Sequence, residues 1–391
     1  MQTPIPATYM RGGTSKGTFF NLADLPEPCQ VAGTARDAFL LRVVGSPDPY
    51  GKQIDGLGNG SSSTSKVVII SPATDGIHDV NYLFGQVAID KAMIDWSGNC
   101  GNLTGAVGSF AIFNGLISKD KIPENGICTV KIYQQNIKKT IIAYVPIENG
   151  QVVETGDFEL DGVTFPASEI KIEFIDPVDE GGEMFPTGNL KDTLSVPDVG
   201  EFEVTMINAG IPTIFLHAHE LGFTGTELQK DINSNAEILD KLEKIRAFGA
   251  VKMGLINDIS EAQTRQHTPK IAWVAPPSDY IASSGKTVKA DDIDLLVRAM
   301  SMGQLHHAMM GTASVAIGTA GTIVGTIVND EAGGQALTEV KFGHPSGTLT
   351  VGGQSECVNG KWLARKVSMS RSARRLMVGQ VFVPQDCFLK M

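Results

Sequence analysis

Cys100 stands in the run Trp96-Ser97-Gly98-Asn99-Cys100-Gly101-Asn102. The first four residues are turn-forming, so a helix is expected to begin at or just after Cys100. A thiol there faces unpaired backbone N–H groups and the positive end of the helix dipole, which favour the thiolate. The bland alternative is an inert core cysteine, but polar Gly and Asn flanks are wrong for a core. Cys29, Cys128, Cys357 and Cys387 lack such flanks and read as structural or incidental. Lys66 ends the hydroxyl run of residues 61–65, with Thr64 and Ser65 next to it, and opens the apolar stretch 67–70. Such a lysine can bind an anion and, if desolvated, its pKa falls towards that of a proton-transfer base. The competing reading is a solvated lysine at a strand entry.

Arg11-Gly12-Gly13-Thr14-Ser15-Lys16-Gly17 offers two cations, two hydroxyls and three glycines that let backbone approach a ligand. The GxxxxGK[ST] order of a P-loop is absent, and no long helix pattern follows Gly17, so Arg11, Ser15 and Lys16 suit a small carboxylate better than a nucleotide. A glycine-rich hairpin turn is the plain alternative. His306 and His307 are adjacent and would point apart on a helix, and HxxxH and HExxH are absent, which argues for hydrogen-bonding histidines rather than a metal pair. His344-Pro345-Ser346-Gly347 reads as a turn. Residues 361–375 hold six cations, expected as a solvated face, with a carboxylate clamp from Arg371, Arg374 or Arg375 as the lesser alternative.

These residues must be positioned by a strand-rich chain. β-Branched and aromatic runs predict strands at 18–21, 67–71, 80–89, 129–134, 140–146, 169–175, 202–206, 213–218 and 270–274. Helices are expected at 34–44, 236–252 and 290–302, the last with Ile293, Leu296, Val297 and Met300 at helical spacing behind Asp291 and Asp292. Strands outnumber helices without regular alternation, so the class is α+β. The Pro-, Gly- and acid-rich stretch 176–200 reads as a connection between halves. An internal repeat supports two halves. Residues 99–109 align without a gap on 309–319, so that Gly101 meets Gly311, Thr104 meets Ser314, Ala106 meets Ala316 and Gly108 meets Gly318.

Composition narrows the classes. The 391 residues predict two domains or one large one. A net charge of −11 without a basic stretch before the last thirty residues excludes an ordinary nucleic-acid binder. No run approaches the ~20 apolar residues of a membrane span, and the N-terminus lacks a signal pattern. Five cysteines without CxxC spacing argue against a disulfide framework or zinc site and fit a reducing cytoplasm.

Asn99-Cys100-Gly101-Asn102 and its counterpart Met310-Gly311-Thr312 resemble the helix-head motifs of the diaminopimelate epimerase-like fold. Together with residues 10–17, 45–50, 63–66 and 344–347, nearly end to end, the chain resembles the PrpF family of 2-methylaconitate cis-trans isomerases. The resemblance implies two pseudo-symmetric domains, each a curved, mostly antiparallel sheet around a central helix. The expected halves are 1–185 plus 376–391, and 186–375, with the active site in the cleft between them. It implies cofactor-independent isomerisation of an unsaturated tricarboxylate in the methylcitrate cycle of propionate catabolism, without a metal. Lys66 and Cys100 match the residues associated with proton transfer. Arg11, Ser15, Lys16, Thr64, Ser65, Gly101, Asn102, Met309, Met310, Gly311 and Thr312 are the expected substrate-binding residues. Epimerases carry a second thiol where this chain has Met310, and a thioether cannot shuttle protons, so two-thiol stereoinversion is not expected. The alternatives are an allylic isomerase or tautomerase acting on methylitaconate or oxalomesaconate, and a non-catalytic accessory protein of an iron–sulfur dehydratase. A functional link to that dehydratase and a homo-oligomer are compatible with the sequence.

Overall fold

The computed structural model describes residues 1–178 and 182–387. Residues 179–181, inside the expected connection, and 388–391, at the end of the expected C-terminal return, lie outside the described residues. The chain separates into two compact units. The first holds Met1–Glu159, Phe165–Ile172 and the chain from Arg371 onward; the second holds Leu160–Thr164 and Glu173–Ser370.

The first unit contains β1 (Gln2–Gly12), β2 (Ser15–Asn21), α1 (Thr34–Val44), β3 (Lys66–Pro72), β4 (Val80–Val87), α2 (Gly101–Phe113), β5 (Gly126–Gln134) and β6 (Lys139–Glu148). The second contains β7 (Asp192–Val196), β8 (Gly200–Ala209), β9 (Ile211–His217), α3 (Ala236–Lys252), β10 (Lys270–Ala275), β11 (Leu295–Ser301), α4 (Gly311–Gly321), β12 (Glu339–His344), β13 (Gly347–Val358) and most of β14 (Lys361–Arg371). β15 (Ala373–Pro384) belongs to the first unit again.

Both units follow one pairing plan. In the first, β15, β1 and β2 pair antiparallel, β2 lies parallel to β3, β3 antiparallel to β4, β4 parallel to β5, and β5 antiparallel to β6. In the second, β7, β8 and β9 pair antiparallel, β9 lies parallel to β10, β10 antiparallel to β11, β11 parallel to β12, and β12 antiparallel to β13. Each plan surrounds one buried helix. α2 is buried from Gly101 to Ile112, and α4 along its whole length. Helices sunk this deep need small residues where sheet side chains press in. A Cβ on Gly108 would lie 2.7 Å from Val145 Cγ2, and one on Gly318 would lie 2.6 Å from Val351 Cγ1. The aligned hydroxyls behave alike too, Thr104 donating to the Cys100 carbonyl at 2.9 Å and Ser314 to the Met310 carbonyl at 3.0 Å.

The helices at 34–44 and 236–252 form where expected. α1 buries Phe39, Leu40 and Val43 among Val67, Ile69 and Val383, and α3 packs Leu242 and Ile245 with Ile214 and Trp273. The helix expected at 290–302 does not form. Ala290–Asp292 is a short 3-10 turn, and Leu295–Ser301 is the central strand β11, every residue of which is buried. A strand covered on both faces shows no alternation, so its apolar positions fit either period.

Gly108→Ala and Gly318→Ala separate packing from propensity. Intrinsic helix propensity favours alanine by about 0.8–1.0 kcal/mol. The stiff β-branched neighbours instead predict a net loss on the order of 1 kcal/mol. Chemical denaturation of both variants should show lower midpoints; a gain in either would mean the sheet yields freely.

Candidate active site

The first unit brings Lys66 and Cys100 together. Lys66 opens β3, opposite Gln86 of β4 in the antiparallel register. Its side chain is 6% exposed, with Nζ donating to Gln86 Oε1 at 2.5 Å and lying 5.1 Å from the centre of the Phe84 ring. Burial pushes the Lys66 ammonium below its ordinary pKa, and the charge and hydrogen bond of the Cys100 sulfur act in the opposite direction. Cys100 is the N-cap of α2 and is buried; its Sγ accepts from Leu103 N at 3.5 Å. The helix thus begins where the turn-forming run predicted, with sulfur in the capping place usually held by a side-chain oxygen. Tyr82, on the same face of β4 as Phe84 and Gln86, donates its hydroxyl to the Cys100 carbonyl at 3.2 Å.

The hydroxyl loop before Lys66 is tied down from inside. Gln86 Nε2 donates to the Ser62 and Ser65 carbonyls at 3.2 and 3.1 Å. Ser65 Oγ donates to Gln53 Oε1 at 2.7 Å, and Thr64 Oγ1 shares a hydrogen bond with Ser61 Oγ at 2.9 Å. These two hydroxyls hold the loop that presents Lys66. The β1–β2 hairpin reaches the same loop, Lys16 N donating to the Ser63 carbonyl at 3.0 Å. The hairpin's glycines are required by close approach. A Cβ on Gly12 would lie 2.7 Å from the Asn102 carbonyl, and Gly13, at φ +50°, would place one 2.5 Å from Asn102 Oδ1.

Cations gather around the α2 head. Arg371 is 1% exposed and donates from Nε to Asn102 Oδ1 at 3.0 Å, while Asn102 Nδ2 donates to Thr14 Oγ1 at 3.0 Å. The space for Arg371 comes from Gly105, whose Cβ would lie 3.1 Å from that of Arg371; the aligned residue in α4 is Val315. Burial lowers the Arg371 guanidinium to about 10, and Cys100 opposes that shift. Arg11 is likewise lowered to about 10 by burial and by Arg374, and it donates to the Gly13 and Ser372 carbonyls at 3.1 and 2.9 Å. Lys16 Nζ stands 5.6 Å from the Tyr9 ring centre, and Ser15 is buried opposite Gly12. Arg375 is paired with Glu154 at 3.0 Å. Lys361, Arg365 and Lys366 pair with Glu183, Glu356 and Glu173. The basic segment is therefore a solvated face, paired at Lys361, Arg365, Lys366 and Arg375, with Arg374 exposed and only Arg371 buried.

In the second unit Met310 is the N-cap of α4 and makes no side-chain cap bond; Met309, Met310, Gly311 and Thr312 are all buried. The rings of His306 and His307 stack with centroids 4.7 Å apart, and His306 Nδ1 accepts from Ala308 N at 3.1 Å. Burial lowers the His307 pKa. His344-Pro345-Ser346-Gly347 makes the β12–β13 turn, with Ser346 N donating to His344 Nδ1 at 3.2 Å. His217, His219 and Glu331 offer ligand atoms within 4.8 Å of one another. Both ring nitrogens of His217 already face carboxylates, Glu331 at Nδ1 and Glu203 at 3.4 Å from Nε2.

Tyr82, Phe84 and Gln86 were not singled out by sequence reasoning. The one available signal is their alternation along the strand that pairs with Lys66.

The chain is 66% identical over 388 residues to a 2-methyl-aconitate isomerase of Shewanella oneidensis, covering 98% of each chain. It is 62% identical to a protein of the same name from Cupriavidus necator, covering 99% of each. A solved methylitaconate-delta-isomerase is similar with a TM-score of 0.76 at 38% identity, over 99% of this chain and 97% of that one. A probable proline racemase from Agrobacterium radiobacter, at 11% identity and a TM-score of 0.54, covers 98% and 94% and shares the fold. The expected α+β architecture of the diaminopimelate epimerase-like class is borne out. Residues 2–384 match the model of the family described as PrpF protein, and the chain belongs to that family.

Proposed function

We propose that this chain is an isomerase that interconverts 2-methyl-trans-aconitate and 2-methyl-cis-aconitate by removing and returning one proton, without a cofactor. The observation that carries the reading is the buried Lys66 amine held against Cys100 at the head of α2. The substrate is supported by the two relatives above 60% identity that bear that name.

A methylene beside both an alkene and carboxylates is a carbon acid. Lys66, as the free amine, takes its proton and becomes ammonium. The electron pair spreads over the former double bond into a carboxylate, and the bond, now single in character, rotates. The ammonium then returns the proton to the same carbon. Burial disfavours the ammonium at rest, which keeps the base available, and the Cys100 sulfur stabilises the ammonium once formed. Arg11, Lys16 and Arg371 supply positive charge for carboxylates, and Ser15 a hydroxyl. Backbone N–H groups of Gly101, Asn102, Gly311 and Thr312 are assigned to the developing negative charge. Met309 and Met310 offer soft apolar surface to the substrate methyl group. Thr64 and Ser65 act by holding the loop ahead of Lys66. A place in the methylcitrate cycle, a link to an iron–sulfur dehydratase, and a cytoplasmic location belong to the same reading. Among the described residues no helix is long and apolar enough to cross a membrane.

The likeness to a methylitaconate-delta-isomerase favours one second reading, in which the proton returns to a different carbon and the double bond shifts. Side-by-side assays on 2-methylaconitate, methylitaconate and oxalomesaconate separate the two. We expect 2-methylaconitate to lead by at least about 10-fold in kcat/KM, the scale of discrimination worth one methyl contact.

Lys66→Ala should fold normally and lose at least ~100-fold in turnover, as for a positioned acid–base group; near-wild-type turnover would remove Lys66 from the chemistry. The acid limb of the kcat/KM profile should rise as Lys66 loses its proton. Gln86→Glu places a carboxylate at the ammonium and raises its pKa, so that limb should move to higher pH. An unmoved limb would assign it to another group. Iodoacetamide should label the exposed Cys357 without loss of activity, whereas inactivation should track Cys100 and be slowed by trans-aconitate. Cys100→Ser should still bind trans-aconitate but turn over at least ~100-fold more slowly. Peptide mapping that finds Cys100 alkylated in fully active protein would contradict the role given to the thiol.

A further inference from the structure

The amine and the thiol of the first unit sit on different elements, and one strand holds both. Lys66 opens β3 and Cys100 caps α2. Tyr82, Phe84 and Gln86 alternate along β4 and share a face. Gln86 accepts the Lys66 Nζ hydrogen bond at 2.5 Å, and four residues earlier Tyr82 gives its hydroxyl to the Cys100 carbonyl at 3.2 Å. Tyr82 is fully buried; burial and the nearby Cys100 sulfur raise its pKa well above the ordinary value, so it stays a donor. The strand itself is pinned by Asn136, whose Oδ1 accepts from Phe84 N and whose Nδ2 donates to the Phe84 and Trp96 carbonyls, all at 2.9 Å.

The Tyr82 hydroxyl is not needed to build the helix head. The Cys100 carbonyl also accepts from Thr104 N and Thr104 Oγ1, each at 2.9 Å. The second unit has the same frame without the hydroxyl. Ile70, the fifth residue of β3, stands opposite Tyr82, and Val274, the fifth residue of β10, stands opposite Val297. Val297 has no hydroxyl to give, and the Met310 carbonyl accepts from Ser314 N at 2.9 Å and Ser314 Oγ at 3.0 Å. The added donor thus accompanies the cap that carries a thiol and not the cap that carries a thioether. It fixes the plane of the Cys100–Gly101 peptide against β4. Cys100 has extended dihedrals, φ −116° and ψ 93°, so that plane sets the direction in which Cβ, and with it the sulfur, leaves the backbone.

We infer that Tyr82 is a positioning residue whose hydroxyl holds the Cys100 thiol at the Lys66 amine. Gln86 and Tyr82 then aim both partners from one strand. The inference rests on the proposed reading of Lys66 as the base of an isomerase. Gln86 and Phe84 of β4 and Cys100 of α2 face the amine, and of these only the thiol titrates. Cys100 in turn faces Tyr82 and the buried Arg371 at the end of β14. Burial lowers the Lys66 pKa and the sulfur opposes that shift. A thiol that drifts from its place withdraws part of this support, so the Lys66 pKa falls further and the ammonium formed in the reaction is less stabilised.

The test is Tyr82→Phe, which keeps the ring and removes the hydroxyl, measured beside wild type and Gln86→Glu. Circular dichroism and thermal melts report folding, and calorimetry reports trans-aconitate binding. We expect a folded protein whose kcat falls about 10- to 100-fold, the scale of a reacting group misplaced by about 1 Å, with KM and trans-aconitate affinity within about twofold of wild type. The acid limb of its kcat/KM profile should move to lower pH, opposite to the shift expected for Gln86→Glu. A merely structural tyrosine would lower stability and the active fraction without moving that limb. Wild-type kcat in Tyr82→Phe overturns the inference. So does a protein that fails to fold, or one whose lost turnover matches lost affinity for trans-aconitate. A limb moved by Gln86→Glu but not by Tyr82→Phe overturns the inference alone. If neither variant moves the limb, the reading of Lys66 as the titrating base falls and the inference falls with it.

Discussion

An amine kept out of water beside a sulfur at a helix head is the constraint around which the first unit is organised. Lys66 is buried because β3 enters the sheet at that residue, with Gly17 on one side and Gln86 on the other. The position is affordable only because Gln86, Phe84 and Cys100 surround the nitrogen with an amide oxygen, an aromatic face and a polarisable sulfur. Gln86 also grips the hydroxyl loop through two carbonyls, so the strand that solvates Lys66 sets the path of the chain leading into it. Displacing any of these partners would change both the protonation of the amine and its aim.

The two units show how one plan is specialised by small changes. Gly108 and Gly318 are retained in both because each central helix presses against a valine of its sheet. Gly105 and Val315 are not equivalent, and the missing side chain is what admits the Arg371 guanidinium to the α2 head. Cys100 and Met310 occupy the same cap position, one able to exchange a proton and one not. Packing thus preserves the frame, while single positions at the helix heads differ in the charge they admit and in whether their side chain carries an exchangeable proton.

Much of this was legible in the residues. The strands that alternate or carry β-branched runs form where predicted, as do the helices with clear polar faces, and the aligned blocks 99–109 and 309–319 are the two buried helices. The helix expected at 290–302 failed because β11 is buried on both faces, so the spacing of its apolar residues carried no information about period. Gln86 and Phe84 escaped notice because a glutamine and a phenylalanine in a strand look ordinary until the register places them opposite a lysine. Arg371 was one of six cations in a basic stretch, and only its fit beside Gly105 separates it from the solvated neighbours.

The central claim is that a proton leaves carbon and returns to it through the Lys66 amine. It is tested most directly by running the isomerisation of 2-methylaconitate in deuterium oxide and following deuterium in substrate and product by mass spectrometry. A lysine ammonium has three equivalent hydrogens, so one transferred proton is mixed with two drawn from solvent before return. The account predicts deuterium in the majority of product molecules after a single turnover, and loss of both exchange and isomerisation in Lys66→Ala. Isomerisation that proceeds to equilibrium with no deuterium in either acid would contradict it.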